Sequence, residues 1–329
     1  MKAKPRIVVI GGGTGTYTVL TGLKKYPLHL SAIISMMDSG GSNRVIRDEF
    51  GLLPTSDIRQ CIVGLASAES NEVLRKLFTY RYNQGTGIAG MTFGNLFMAA
   101  LTDIYGSQKK AIEQTCKLLN VKGKIIPVTY DNVQLAAKYE NGKMVLGEHF
   151  IDEPDEQIGK YRISELSVIP DAKANFEAIK AIEKADLIVM GPGDLYTSIL
   201  CNLVVDGMRE ALQKSPAKII YVMNLMTKFG QTNNLTAREI LKEVEKYISR
   251  KVDIVLLNSR HSYPKNVLRR YKLEQSEPTM DDLGNLKNII REDFVSDEVY
   301  ESQNSDRLKR SFIRHDPEKL ARKIVLYSR

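Results

Sequence analysis

The chain has 329 residues, 47 of them basic and 39 acidic, for a formal net charge of +8. Hydrophobic residues make up 43% and charged residues 26%, a globular balance that excludes a disordered, collagenous or coiled-coil chain. No apolar run approaches the roughly 18 residues of a membrane span, and the run in MKAKPRIVVIGGG is too short for a signal peptide. The reading is a soluble, cytoplasmic protein with no membrane span.

Three cysteines (Cys61, Cys116, Cys201), widely spaced and without CxxC, argue against a disulfide frame or a zinc site. The four histidines form no HxH or HxxxH pair, which argues against a histidine metal site. Residues 305–329 carry +5 of the +8. No aromatic-interleaved basic stripe accompanies that charge. It reads as local help for one anionic small molecule or as a solvated helix face, and not as a nucleic-acid footprint.

RIVVI (6–10) is a short apolar run ending in glycines, so it reads as a buried strand; residues 14–25 form the next helix and LHLSAIISM (28–36) the next strand. This βαβ opening predicts a parallel sheet. Residues 56–119 read as mainly helical, with Ser56, Thr92 and Ser107 as candidate caps. Residues 124–168 (KIIPVT, VQLAAKYE, MVLGEHFI) are β-like, with an Asn141-Gly142 hairpin signal, and predict a small antiparallel insertion.

From residue 173 the alternation returns. AKANFEAIKAIEKA is helical, DLIVM (186–190) a strand, GPGDLYTS a loop before another helix, and KIIYVM (218–223) a strand. Thr236 and Glu239 form a capping box, VDIVLLN (252–258) is a further strand, and Asp316-Pro317 opens a terminal helix. Residues 259–304 read as irregular apart from a short helix near 264–272. The expected fold is α/β: one three-layer Rossmann-like domain over residues 1–329, with a helical insertion and a small antiparallel β insertion.

Four of these strands run directly into glycine, asparagine or acidic residues: RIVVI into GGGTGT, SAIISMM into DSGGSN, DLIVM into GPGDLYTS and KIIYVM into NLMT. Open α/β sheets bind ligands at the carboxyl ends of their strands. Glycine turns there expose backbone N–H groups beside helix N-termini, and both favour phosphate. GGGTGT is neither a dinucleotide fingerprint, since Thr16 stands where glycine is needed, nor a P-loop. It is a phosphate contact or a tight packing turn.

Asp38 reads as a ribose ligand, a Mg²⁺ ligand or a cap, with Gly40 and Gly41 suited to close ligand approach. Asp57 and Arg59 are a salt bridge or ligand groups. Asn95 binds a base or sugar, or ties a turn. In the second loop, Gly191 and Gly193 bracket Pro192, while Asp194 and Thr197 offer an acceptor and a hydroxyl. Tyr196 stacks on a ring or belongs to the core. Met223 and Met226 read as packing. No activated nucleophile stands out.

VVIGGGTGT, DSGGS with RDEFG, DIRQC, GNLFMAALT, ADLIVMGPGDLYTSIL with NLVVDG, and YVMNLMT, in this order, resemble the CofD-like superfamily and its gluconeogenesis-factor (YvcK) group. The resemblance runs from about residue 5 to about residue 325. It implies a nucleotide site at the strand ends. In the YvcK-like branch this is a regulator that binds UDP-sugars and supports gluconeogenic growth and cell-wall or cell-shape control. In the CofD branch it is a transferase moving a phospholactyl group from a guanosine-diphosphate-linked donor with Mg²⁺.

Carried over by motif, the nucleotide-binding residues are Gly12, Gly13, Thr14, Gly15, Asp38, Gly40, Gly41, Asn95, Gly191, Gly193, Asp194, Tyr196, Thr197 and Asn224. Tyr271, ahead of Glu277-Pro278, and Arg314, beside His315, complete the UDP-sugar site from the C-terminal segment 259–329. By this resemblance Tyr271 stacks on uracil and Arg314 forks onto the diphosphate. Ser39, Val45 and Met91 depart from the family pattern. The resemblance implies no certain cofactor, only Mg²⁺ on Asp38 in the transferase case. The oligomeric state stays open, a homo-oligomer included.

Overall fold

A computed structural model describes residues 3–67, 72–260, 262–298, 300 and 311–328. Seven strands form a wholly parallel sheet: β1 (Arg6–Gly11), β2 (His29–Ile34), β3 (Lys124–Pro127), and, beyond an insertion, β7 (Leu187–Met190), β8 (Lys218–Val222), β9 (Ile254–Asn258) and β10 (Ile289–Glu292). Their spatial order is β10-β9-β8-β7-β1-β2-β3. The insertion holds β4 (Gln134–Tyr139), β5 (Met144–Leu146) and β6 (Ile163–Ile169), paired antiparallel in the order β5-β4-β6.

The alternation of strand side chains divides the core in two. On β1, Ile7 and Val9 face a cluster with Leu20, Ile62 and Leu320, from helices on one side; Val8 and Ile10 face a cluster with Ile182, Leu212 and Val244, from helices on the other. The insertion sheet joins the second cluster through Leu135, Ala137 and Leu166. The result is the expected three-layer α/β arrangement with a small antiparallel sheet against one face.

Three local expectations change. KIIPVT supplies β3, which pairs in parallel with β2 instead of belonging to the insertion. MVLGEHFI is β5 followed by a helix, Glu148–Asp152, because Gly147 adopts φ 101° and breaks the strand. Residues 289–292, in a stretch read as irregular, form β10: pairing with β9 overrides a polar local sequence.

Of the caps, Ser107 and the Thr236–Glu239 box behave as expected, and Asp316 accepts from Lys319 N–H at 2.8 Å. Ser56 is instead the first residue of the helix Ser56–Leu65, and Thr92, at its cap position, accepts no backbone N–H. Among the described residues no helix is long and apolar enough to cross a membrane.

Candidate functional site

A cleft of about 530 Å³ lies at the carboxyl ends of the central strands. Its centre is the topological switch point: from β1 the sheet grows through β2 in one direction and through β7 in the other. Ligands of open α/β sheets bind at such points. The turn after β1 and the turn after β7 touch there. A Cβ on Gly15 would collide with the Pro192 carbonyl, so glycine is what lets the two turns meet. Gly13 has φ 63°, a left-handed conformation open to glycine without cost.

The helices Gly13–Leu23, Gly41–Phe50 and Ser56–Leu65 start at this cleft, and none has a side-chain cap. Elsewhere the helices starting at Gln108, Phe176, Ala237 and Pro317 are capped by side chains, whereas those starting at Phe93, Met208 and Lys265 are not. The N–H groups left over at the cleft, with the positive ends of the helix dipoles, suit an anion.

Thirteen of the sixteen expected site residues line the cleft: Gly12, Gly13, Thr14, Gly15, Asp38, Gly40, Gly41, Gly193, Asp194, Thr197, Asn224, Tyr271 and Arg314. Three do not. Asn95 is fully buried behind it. Its oxygen accepts from Arg59 Nε at 2.9 Å, and its amide donates to Ser42 Oγ at 3.0 Å and Ser56 Oγ at 2.9 Å. It is a strut for three cleft segments. Tyr196 is 3% exposed and belongs to the core, with its hydroxyl donating to the Ile163 carbonyl at 3.4 Å. Gly191 lies under the loop, packed on the Val222 carbonyl.

Several lining residues are already committed to the protein. Asn224 donates to the Gly193 carbonyl (2.7 Å) and accepts from its N–H (3.1 Å), which pins the second glycine turn to the end of β8. Asp38 accepts from Gly40 N–H (2.9 Å) and Asn43 Nδ2 (2.5 Å), shaping the turn after β2. Tyr271 is 4% exposed and accepts from Ile313 N–H at 3.0 Å. It anchors the segment carrying Arg314, whose guanidinium lies 4.1 Å above the Tyr300 ring. Met223 and Met226 both pack in the core, as expected, and Met226 also borders the cleft.

The unexpected part is ionic. Lys228 bonds Asp152 at 2.6 Å and Asp194 at 2.8 Å. Asp152 also accepts from Thr197 Oγ1 at 2.8 Å and Gln231 Nε2 at 2.9 Å. This network joins the insertion to the loops after β7 and β8. Lys228 sits four residues past Asn224 at a strand end, which is the signal that could have found it. Asp152 was hidden in the stretch read as an antiparallel insertion, one residue past MVLGEHFI.

Burial alone would raise the Asp152 pKa, but the Lys228 ammonium overrides it and holds the carboxyl below its usual range. For Asp194 burial prevails over Lys228 and the carboxyl is raised. Burial would lower Lys228, yet the two carboxylates keep it firmly cationic. His315 is pushed down to about 4 by burial, against a hydrogen bond with the Met223 backbone, so it is neutral at pH 7.

Glu148 lies beside these groups, accepting from Ser39 N–H at 3.2 Å. Burial, then Asp38 and Asp152, push its carboxyl well above the ordinary range. A raised carboxyl pKa means that the folded chain holds the proton longer than the unfolded one, so stability falls as pH climbs through that interval. Glu148→Gln keeps an acceptor and removes the charge. The variant should match the wild type near pH 4 and exceed it in melting temperature at pH 8. Equal melting temperatures at both pH values would refute the shifted carboxyl.

Eight carboxylates line the cleft against four permanent cations: Arg59, Arg81, Lys228 and Arg314. The basic C-terminal segment therefore contributes less than its sequence suggests. Of its described lysines and arginines Arg314 alone lines the cleft, while Lys319 pairs with Asp293 and Lys323 with Glu292. Arg307, Lys309, Arg310 and Arg329 lie outside the described residues.

The family model described as 2-phospho-L-lactate transferase CofD matches residues 7–296. A Thermotoga maritima protein is 39% identical over 326 residues, 98% of this chain and 99% of its own. The protein named Gluconeogenesis factor in Bacillus subtilis is 36% identical over 330 residues, 99% of this chain and 98% of its own. A crystal structure of a UPF0052-family protein from Bacillus halodurans matches with a TM-score of 0.88 at 33% identity, covering 99% of this chain and 100% of that one. The chain belongs to the CofD family, in its gluconeogenesis-factor (YvcK) group.

Proposed function

We propose that this chain is a cytoplasmic regulator of the gluconeogenesis-factor kind, which senses a UDP-sugar and acts on carbon metabolism and on cell-wall or cell-shape control. The observation that carries the reading is the meeting of three uncapped helix N-termini and two touching glycine turns at the switch point between β1 and β7. A diphosphate is the nucleotide part that backbone N–H groups of this kind hold best. The diphosphate rests on Gly12–Gly15, with Arg314 closing over it.

The acid-rich lining supports a second reading, a Mg²⁺-dependent phospholactyl transferase. Among the described residues no group of three or more His, Cys, Asp or Glu side chains is disposed to hold a metal ion. Asp38 already carries two hydrogen bonds, so a Mg²⁺ there would take most of its ligands from phosphate oxygens and water. The regulator reading needs no such completion.

Thermal shift with UDP-N-acetylglucosamine, with GDP plus Mg²⁺ and with NAD separates the readings. A ligand at 100 times its Kd stabilises by about 2.7 kcal/mol. UDP-N-acetylglucosamine should raise the melting temperature on its own. A shift with GDP and Mg²⁺ alone would favour the transferase, and a shift with NAD alone would defeat both. Arg314→Ala should weaken UDP-sugar binding about tenfold or more, the scale of a charge-assisted hydrogen bond. The melting temperature without ligand should change only slightly, because Arg314 is only partly buried and its contacts with the Ser311 carbonyl and the Tyr300 ring lie near the surface.

A further inference from the structure

We infer that the amino-terminal edge of the central sheet, opposite the cleft, is a peripheral docking surface for an anionic membrane. In a parallel sheet all strands begin at one edge, so the residues that open them lie side by side. Arg6 opens β1, Lys124 opens β3 and Lys218 opens β8, while Lys122, Lys184 and Lys287 stand two or three residues before β3, β7 and β10. All six are exposed, and none has an ion pair among the described residues. Across seven strands, spaced by about 4.8 Å, they spread over about 29 Å.

Most carboxylates of this edge are already spent. Glu245 pairs with Lys251, Asp253 with Arg250 and Glu318 with Lys25, and Asp186 accepts from the Arg6 N–H. Glu183 stays unpaired beside Lys184. Lys24 donates to the Ala66 carbonyl at 2.8 Å. Partial burial, then Arg75, Lys122 and Lys25, push its ammonium below the usual range, as expected where cations gather without carboxylates between them. The cleft has the opposite character, with eight carboxylates against four permanent cations. A helix C-terminus favours a cation beside it, which accounts for Lys184 after the helix Phe176–Glu183. Arg6, Lys124 and Lys218 stand in strands, where that reason does not apply.

The kind of charge selects the partner. Five of the six are lysine, which protein interfaces avoid and which lacks the fork that arginine offers to a nucleic acid. Two leucines sit among them: Leu118, at the end of the helix leading to β3, is 50% exposed, and Leu286, beside Lys287, is 48% exposed. Leucine is stabilised at the boundary between headgroups and acyl chains and gains nothing from a phosphate backbone. Lysines near an anionic leaflet strengthen binding by about fivefold each. Docked by this edge, the protein holds its cleft away from the bilayer by the length of a five-residue strand, about 17 Å, and open to its ligand.

The test is co-sedimentation of the full chain with vesicles of phosphatidylcholine alone and with vesicles one-third phosphatidylglycerol. The wild type should bind only the second, at about 0.1 M salt, and should be released at about 1 M, where the Debye length falls to about 3 Å. The triple variant Lys122→Gln, Lys124→Gln, Lys218→Gln should lose about a hundredfold in affinity, three factors of about five. These side chains make no hydrogen bond or ion pair among the described residues, so its melting temperature should hold. The control is Lys138→Gln, Lys143→Gln, Lys160→Gln, which removes the same charge from exposed lysines of the insertion and should bind like the wild type.

No binding to the anionic vesicles would overturn the proposal. Equal losses in the two triple variants would overturn it as well, since net charge alone would then account for binding. A DNA duplex that binds more tightly than the vesicles, at equal phosphate concentration, would assign the edge to nucleic acid instead.

Discussion

Lys228→Met should lower the melting temperature by about 5 °C at pH 7, with the loss shrinking toward pH 4. The lysine bridges Asp152 and Asp194, and the three side chains are 27%, 22% and 37% exposed. Removing one partner of a fully buried pair costs about 3–5 kcal/mol. Partial exposure screens these charges, so about 2–3 kcal/mol is expected. At roughly 2 °C per kcal/mol for a chain of this size, that gives the stated shift.

The pH dependence follows from the signs. In the wild type Asp152 sits below the usual range, so its stabilisation is present above the unfolded pKa and is lost as pH falls through the folded value. Asp194, raised by burial, has the opposite sign and offsets part of this. Without Lys228 the opposing influence on both carboxyls is gone and burial pushes both up. The folded variant then gains protons on acidification and recovers stability relative to wild type. Thermal melts at pH 4, 5.5 and 7 measure this; a pH-independent difference would mean that Lys228 acts by packing alone.

Gly15→Ala should abolish tight nucleotide binding and also lower stability. The added methyl would meet the Pro192 backbone, which cannot swing aside as a side chain does. Overpacking of this kind costs about 1–3 kcal/mol, and here it is relieved by parting the two turns that form the cleft. A shift of about 1 Å in such turns is enough to cost a factor of a hundred in a positioned site.

Gly22→Ala, on the same helix, is the control. Its methyl would meet the Pro317 carbonyl on the terminal helix, away from the cleft. Both variants should melt lower than wild type, and only Gly15→Ala should lose UDP-sugar affinity in titration calorimetry. Equal affinity losses would make the contact between the turns a matter of stability and not of site geometry.

The strands of the central sheet were legible because their signal is local. RIVVI, DLIVM and KIIYVM are apolar on both faces, as a buried parallel strand must be, and each ends in a turn residue. A parallel sheet brings such ends to one edge, so the composition of four loops was enough to locate a cleft. The Thr236 capping box and the Asp316-Pro317 start were legible for the same reason: both partners lie within one turn.

What the sequence determined by itself was the parallel α/β alternation, the edge of the sheet that carries the site, and the glycine turns that border it. The tertiary structure decided everything that depends on residues far apart in the chain. It turned Asn95 into a strut for Arg59, 36 positions away, and sent Tyr196 into the core. It brought Lys228 to Asp152, 76 positions away, and paired β10 with β9 although its own sequence reads as loop. A buried charge is stable only beside its partner, and an edge strand only beside its neighbour. Neither condition leaves a mark within the few residues that a local pattern spans.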